Sequence, residues 1–144
     1  MPAERKRILV IDDDPDMHAA LRLILEPAGY QVTCCTTGPE GLATMRRDPP
    51  DLLLLDIMLA TPTEGFHLAH EMRHDGRLQS VPIIMISALG ESMERECGEE
   101  IGNGSLRVER FIDKPFQAAT ILNAVNAILA AGPGAGGQAA AGER

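Results

Sequence analysis

Uninterrupted aliphatic runs recur at residues 8–11, 52–55 and 83–86. A strand with one wet face alternates apolar and polar residues, so runs this continuous predict strands buried on both faces, as in a parallel sheet covered by helices. Two weaker segments, residues 30–35 and 110–112, bring the expected strands to five. The intervening stretches carry helical signals instead. Asp14 serves as N-cap with Pro15 at the first helical position; Met17, Leu21, Ile24, Leu25 and Ala28 form one stripe, and Gly29 is the stop. Thr37-Gly38-Pro39-Glu40 fits a capping box with Pro in the first turn, opening a helix that ends before Pro49-Pro50. A third helix follows Gly65, with Phe66, Leu68, Ala69 and Met72 on one side and Gly76 at its end. In the last, over residues 117–131, Ala118, Ile121, Leu122, Val125, Ile128 and Leu129 recur at helical spacing. Strands alternating with helices predict a doubly wound parallel α/β sandwich, with ligands bound at the carboxyl ends of the strands near a switch point in strand order.

A length of 144 residues suits one domain, and with Trp absent its core must be aliphatic. The formal net charge of -8 argues against direct nucleic-acid binding, which takes a concentrated excess of Lys and Arg. Cys34, Cys35 and Cys97 have neither disulfide-framework nor metal-ligand spacing, so a reducing, cytoplasmic setting is expected. Arg5-Lys6-Arg7 is followed by no long apolar run, so neither a signal peptide nor a membrane span is expected. From Ala130 the composition collapses to Ala, Gly, Pro and Gln, so residues 132–144 are expected to be a disordered tail or the stub of a linker.

Polar groups stand where strands end: Asp12, Asp13 and Asp14 after the first run, Asp56 after the third strand, Ser87 after the fourth and Lys114 after the fifth. Carboxylates packed together repel by roughly 4 kcal/mol per pair at about 4 Å and an effective dielectric near 20, so a divalent cation is their natural counterion. An all-oxygen donor set favours Mg2+ over zinc. With Lys and a hydroxyl alongside, such a site suits a transferring phosphoryl group, and a carboxylate nucleophile there would form an acyl phosphate.

The stretches Ile8-Leu9-Val10-Ile11-Asp12-Asp13-Asp14-Pro15, Leu54-Leu55-Asp56-Ile57-Met58-Leu59, Pro82-Ile83-Ile84-Met85-Ile86-Ser87-Ala88 and Phe111-Ile112-Asp113-Lys114-Pro115-Phe116 resemble the receiver domain of two-component response regulators. The resemblance covers residues 5–131, giving a receiver domain over 1–131 and the tail beyond. It implies a flavodoxin-like, five-stranded sheet of order 2-1-3-4-5. Asp56 would be the phospho-acceptor, supplied by a histidine kinase or phosphotransfer protein. Asp13, Asp56 and the Met58 carbonyl would bind Mg2+, Asp12 would assist through water, and Ser87 and Lys114 would meet the phosphoryl group. Ser87 and Phe111 would form the switch that alters the surface offered to a downstream protein target, and the Lys114–Pro115 bond would be cis.

Two stretches depart from the family pattern. The loop from Asp56 to Gly65 is one residue longer with Pro62 displaced, and extra residues with Gly98, Gly102 and Gly104 stand between Ser87 and Lys114. Met58 and Leu89 are apolar where an acid or amide could orient attacking water, which predicts slow self-dephosphorylation. Two rival readings stand beside this one. A small phosphohydrolase using Asp12 as nucleophile and Asp14 as acid/base would want an acidic pair after its Lys, yet only Glu143 follows Lys114. A degenerate receiver that only binds partners fits poorly with the intact Asp12, Asp13, Asp56, Ser87 and Lys114 set. His67, His70 and His74 on one helix face read as a solvated stripe, Cys34 and Cys35 as small strand residues facing opposite ways, and His18 has no evident partner.

Overall fold

The computed structural model describes residues 6–56, 64–87 and 108–131. Its elements are β1 (Arg7–Ile11), α1 (Pro15–Leu25), β2 (Gln31–Cys35), α2 (Gly38–Arg47), β3 (Leu52–Asp56), α3 (Glu64–Arg73), β4 (Ile83–Ser87), β5 (Arg110–Asp113) and α4 (Ala118–Ala131). The strands form one parallel sheet in the order β2-β1-β3-β4-β5, as the resemblance implies. From β1 the chain steps outward to β2, then returns to place β3 on the other side of β1. The carboxyl ends of β1 and β3 therefore meet at the switch point, where the crossover connections diverge.

The aliphatic runs are continuous because successive side chains feed two cores. Leu9, Ile11, Leu53, Leu55, Ile83 and Met85 pack against Leu42 and Met45 of α2 and Leu68, Ala69 and Met72 of α3. Ile8, Val10, Leu52, Leu54, Ile84 and Ile86 pack against Leu21 and Leu25 of α1 and Ile121, Ala124 and Val125 of α4. Every residue of β3 is buried, as a central strand sandwiched between helix layers must be. No described helix is long and apolar enough to cross a membrane.

Local chemistry sets the boundaries. The Asp14 carboxylate accepts from the Asp16 N–H, capping α1 with Pro15 in its first turn. Regular bonding stops at Glu26, whose N–H reaches the Arg22 carbonyl, because Pro27 has no N–H to give. Tyr30 N–H then bonds the Leu25 carbonyl and Gly29 N–H the Glu26 carbonyl, a Schellman closure with Gly29 at φ 101°. The expected capping box of α2 is shifted by one residue. Thr37 Oγ1 accepts from Glu40 N–H, but Glu40 Oε1 accepts from the Thr36 N–H rather than that of Thr37. In α4, Ala118 is exposed whereas Ala124 is buried, so the apolar stripe begins at Ile121.

Two features set how tightly the layers close. A Cβ on Gly41 would stand 2.6 Å from Ile11 Cγ1, so only glycine lets α2 lie this close to the end of β1. Arg73, with a side chain 7% exposed, donates to the Gln79 and Val81 carbonyls at 3.0 and 2.8 Å and pairs with Glu109 at 3.5 Å. Glu109 in turn accepts from Ile83 N–H at 2.8 Å, so one largely shielded ion pair ties the end of α3 to the starts of β4 and β5.

Candidate functional site

Asp12 follows the last residue of β1, and Asp56 is the last residue of β3. Both are buried, at 2% and 7% exposure, and are the only buried polar or charged residues among those described. Asp13 is exposed, yet a carboxylate oxygen from each of the three acids lies within 4.8 Å of the others. Lys114, one residue beyond β5, extends its ammonium to 3.3 Å from Asp12 Oδ2 and 3.8 Å from Asp56 Oδ2. Its bond to Pro115 is cis, as expected.

Three carboxylates against one ammonium leave a formal net charge of -2, with two of the acids withdrawn from water. Such a cluster draws a cation, and with hard oxygen donors and no thiolate or imidazole it suits Mg2+ better than a softer metal. Among the described residues no other group of three His, Cys, Asp or Glu side chains converges in this way.

Asp12 is held at several atoms. Its N–H donates to the Cys35 carbonyl at 3.1 Å, its Oδ1 accepts from Asp14 N–H at 2.9 Å, and its carbonyl oxygen lies 2.6 Å from His18 Nε2. His18, with no evident partner in the sequence, has one in the fold. The available signal was its place four residues after the N-cap, because helical side chains tilt toward the N-terminus and a residue there can reach back to the strand end.

The other expected site residues fall around this core. Ser87 closes β4, beside the strand that carries Asp56, and its register partner on β5 is Asp113; its side chain lies outside the described residues, as do Met58 and Leu89. Phe111 is half-buried on β5, packed against the core beneath α2 and α3. Asp14 belongs to the helix cap rather than to the acid cluster.

His67, His70 and His74 are exposed. The His70 and His74 rings lie 4.5 Å apart, and His74 Nδ1 donates to the His70 carbonyl at 3.0 Å. Cys34 and Cys35 face opposite cores, and both thiols are free. Burial pushes each thiol up from its ordinary value, keeping it in the less reactive protonated form.

The family model described as response regulator receiver domain matches residues 8–126. Over 123 residues the chain is 35% identical to the DNA-binding dual master transcriptional regulator RpaA of Synechocystis sp., covering 85% of this chain and 48% of RpaA. The chain thus spans about half the length of RpaA and of other curated relatives that it matches. Protein PilH of Pseudomonas aeruginosa is 29% identical, the match covering 86% of this chain and 98% of PilH. The crystal structure of a putative response regulator from Chloroflexus aurantiacus superposes with a TM-score of 0.77 at 29% identity, covering 88% of this chain and 99% of that one. Matched along most of its length, with its acids gathered at the carboxyl ends of the strands, the chain belongs to the response regulator receiver domain family.

Proposed function

We propose that this chain is the phospho-accepting switch of a two-component pathway, with Asp56 as the acceptor. The observation that carries the reading is the position of Asp56. It ends the central strand of the sheet, its side chain only 8% exposed, 3.8 Å from Lys114 and within the cluster of Asp12 and Asp13. The donor is a histidine kinase or a phosphotransfer protein carrying phosphohistidine. An Asp56 carboxylate oxygen attacks phosphorus, the P–N bond breaks, the imidazole leaves with a proton, and an acyl phosphate remains.

Asp12, Asp13 and Asp56, with the Met58 carbonyl, are the groups that would hold Mg2+. Bound there, the ion offsets carboxylate charge and stabilises charge on phosphoryl oxygens. Lys114 already bridges Asp12 and Asp56, and its ammonium offers a second positive charge to the incoming group. Ser87 stands at the end of the neighbouring strand, where a hydroxyl can donate to a phosphoryl oxygen. Ser87 and Phe111 form the moving pair: new charge at Asp56 favours the state in which the hydroxyl turns inward and the half-buried ring follows, and that state is offered to a downstream protein. The net charge of -8 favours a protein target for this chain, although RpaA, about twice as long, is described as DNA-binding. Asp14 is occupied as a helix cap, which argues against a phosphohydrolase that would use it as acid/base.

Incubation with acetyl phosphate and Mg2+, followed by intact-mass measurement, tests the acceptor. Wild type is expected to gain one phosphate and Asp56→Asn none. Equal gain in both, or gain in neither, overturns the assignment.

A further inference from the structure

We propose that His18 is a positioning residue for the acidic turn, holding Asp12 and Asp13 in the orientation a divalent cation needs; this rests on reading the acid cluster as the Mg2+ site. Strand pairing of β1 with both neighbours ends at Ile11. The Asp12 N–H makes one more bond, to the Cys35 carbonyl, but the Asp12 carbonyl has left the ladder while the residue stays buried, at 2% exposure. A buried carbonyl without a donor is costly, so a replacement is expected. The half-buried His18 ring supplies it, with Nε2 at 2.6 Å. A carbonyl oxygen only accepts, so Nε2 carries the hydrogen and donates.

That carbonyl belongs to the peptide joining Asp12 to Asp13. Fixing its plane restricts the backbone torsions on either side, and with them the directions in which the two carboxylates leave the turn. The other restraints act elsewhere on Asp12: the Asp14 amide and Lys114 hold its carboxylate, and Cys35 holds its N–H. His18 acts on the peptide itself. Because α1 is capped at Asp14, the imidazole sits on the first turn of a helix rather than on a mobile loop, so the restraint is built into the fold. Mg2+ demands near-octahedral geometry at short distances, so a loosened turn should reduce metal affinity more than it reduces stability. Partners that orient metal ligands are worth about 10- to 100-fold in affinity, and one acting through a peptide plane belongs at the lower end, about tenfold.

The chain has no Trp, so Mg2+ binding is followed by amide NMR titration of the full chain, with urea unfolding in EDTA alongside. His18→Gln keeps an N–H donor of similar reach. His18→Leu and His18→Phe fill the space without one, and the second keeps the flat ring should the first fold poorly. Wild type is expected to bind Mg2+ and Asp13→Asn to bind it far more weakly. Both donor-free variants should lose about tenfold in affinity, with His18→Gln within about threefold of wild type. Unchanged affinity in the donor-free variants overturns the proposal, as does His18→Gln falling as far as they do. Absence of Mg2+ binding by wild type is a separate outcome, which removes the metal reading and the proposal with it.

Discussion

Replacing Asp13 by Asn should stabilise the metal-free protein and, at the same time, remove its response to Mg2+. The three carboxylates approach within 4.8 Å, and the single ammonium near them lies on Asp12 and Asp56. At that separation a pair of like charges repels by about 3.5 kcal/mol at an effective dielectric of 20 and by about 0.9 kcal/mol at the value for water. Asp13 is exposed, which places its repulsion near the lower figure for each neighbour, so relief of about 1–2 kcal/mol is expected from an uncharged side chain of the same shape. Mg2+ works in the opposite direction. Bound to the native state alone, at roughly ten times its dissociation constant it adds about 1.4 kcal/mol to wild type. The variant, lacking one ligand and one charge, should gain little. Urea unfolding followed by circular dichroism, in EDTA and in excess Mg2+, therefore ought to show Asp13→Asn ahead in the first buffer and its lead shrinking or reversing in the second. A variant less stable than wild type in EDTA, or one that gains as much from Mg2+, would refute both the repulsion and its relief by the ion.

Three further outcomes follow from other parts of the fold. Gly41→Ala sets a methyl against the Ile11 side chain beneath α2, and overpacking of this kind should cost about 1–3 kcal/mol in urea unfolding; a neutral result would mean that α2 can move away freely. Arg73→Met leaves the largely shielded Glu109 without that cation and should cost about 3 kcal/mol, the lower end for a buried pair, part of which Arg73→Met with Glu109→Gln should recover; equal loss in both variants would show that the shielded charge is not the cause. With apolar Met58 two residues after Asp56 in the sequence and Leu89 two after Ser87, the acyl phosphate proposed at Asp56 should outlast a timescale of seconds when its loss is followed with Mg2+ present, and decay within seconds would refute that expectation.

The features legible in the sequence are those in which a single chain position reports its own environment. A run such as Leu52 to Leu55 is apolar at every residue because each side chain meets one of two cores, and this alone identifies a central parallel strand. The placement of the candidate site residues was legible for a related reason: the residue at the end of a buried strand stands at the carboxyl edge of the sheet, so Asp12, Asp56, Ser87 and Lys114 share an edge whatever the intervening loops do. The illegible features are relations between distant positions. Nothing local says that Gly41 must clear Ile11, that Arg73 will meet Glu109, or that Glu40 will reach Thr36 rather than Thr37. His18 lies between these classes. Its helical position is readable from Asp14 and Pro15, but its role depends on the Asp12 carbonyl losing a strand partner, and that is decided by where β2 and β3 stop pairing with β1. The sheet thus determines the task of a helix side chain: where the ladder ends, an imidazole takes over the bond, and the acidic turn is held by both.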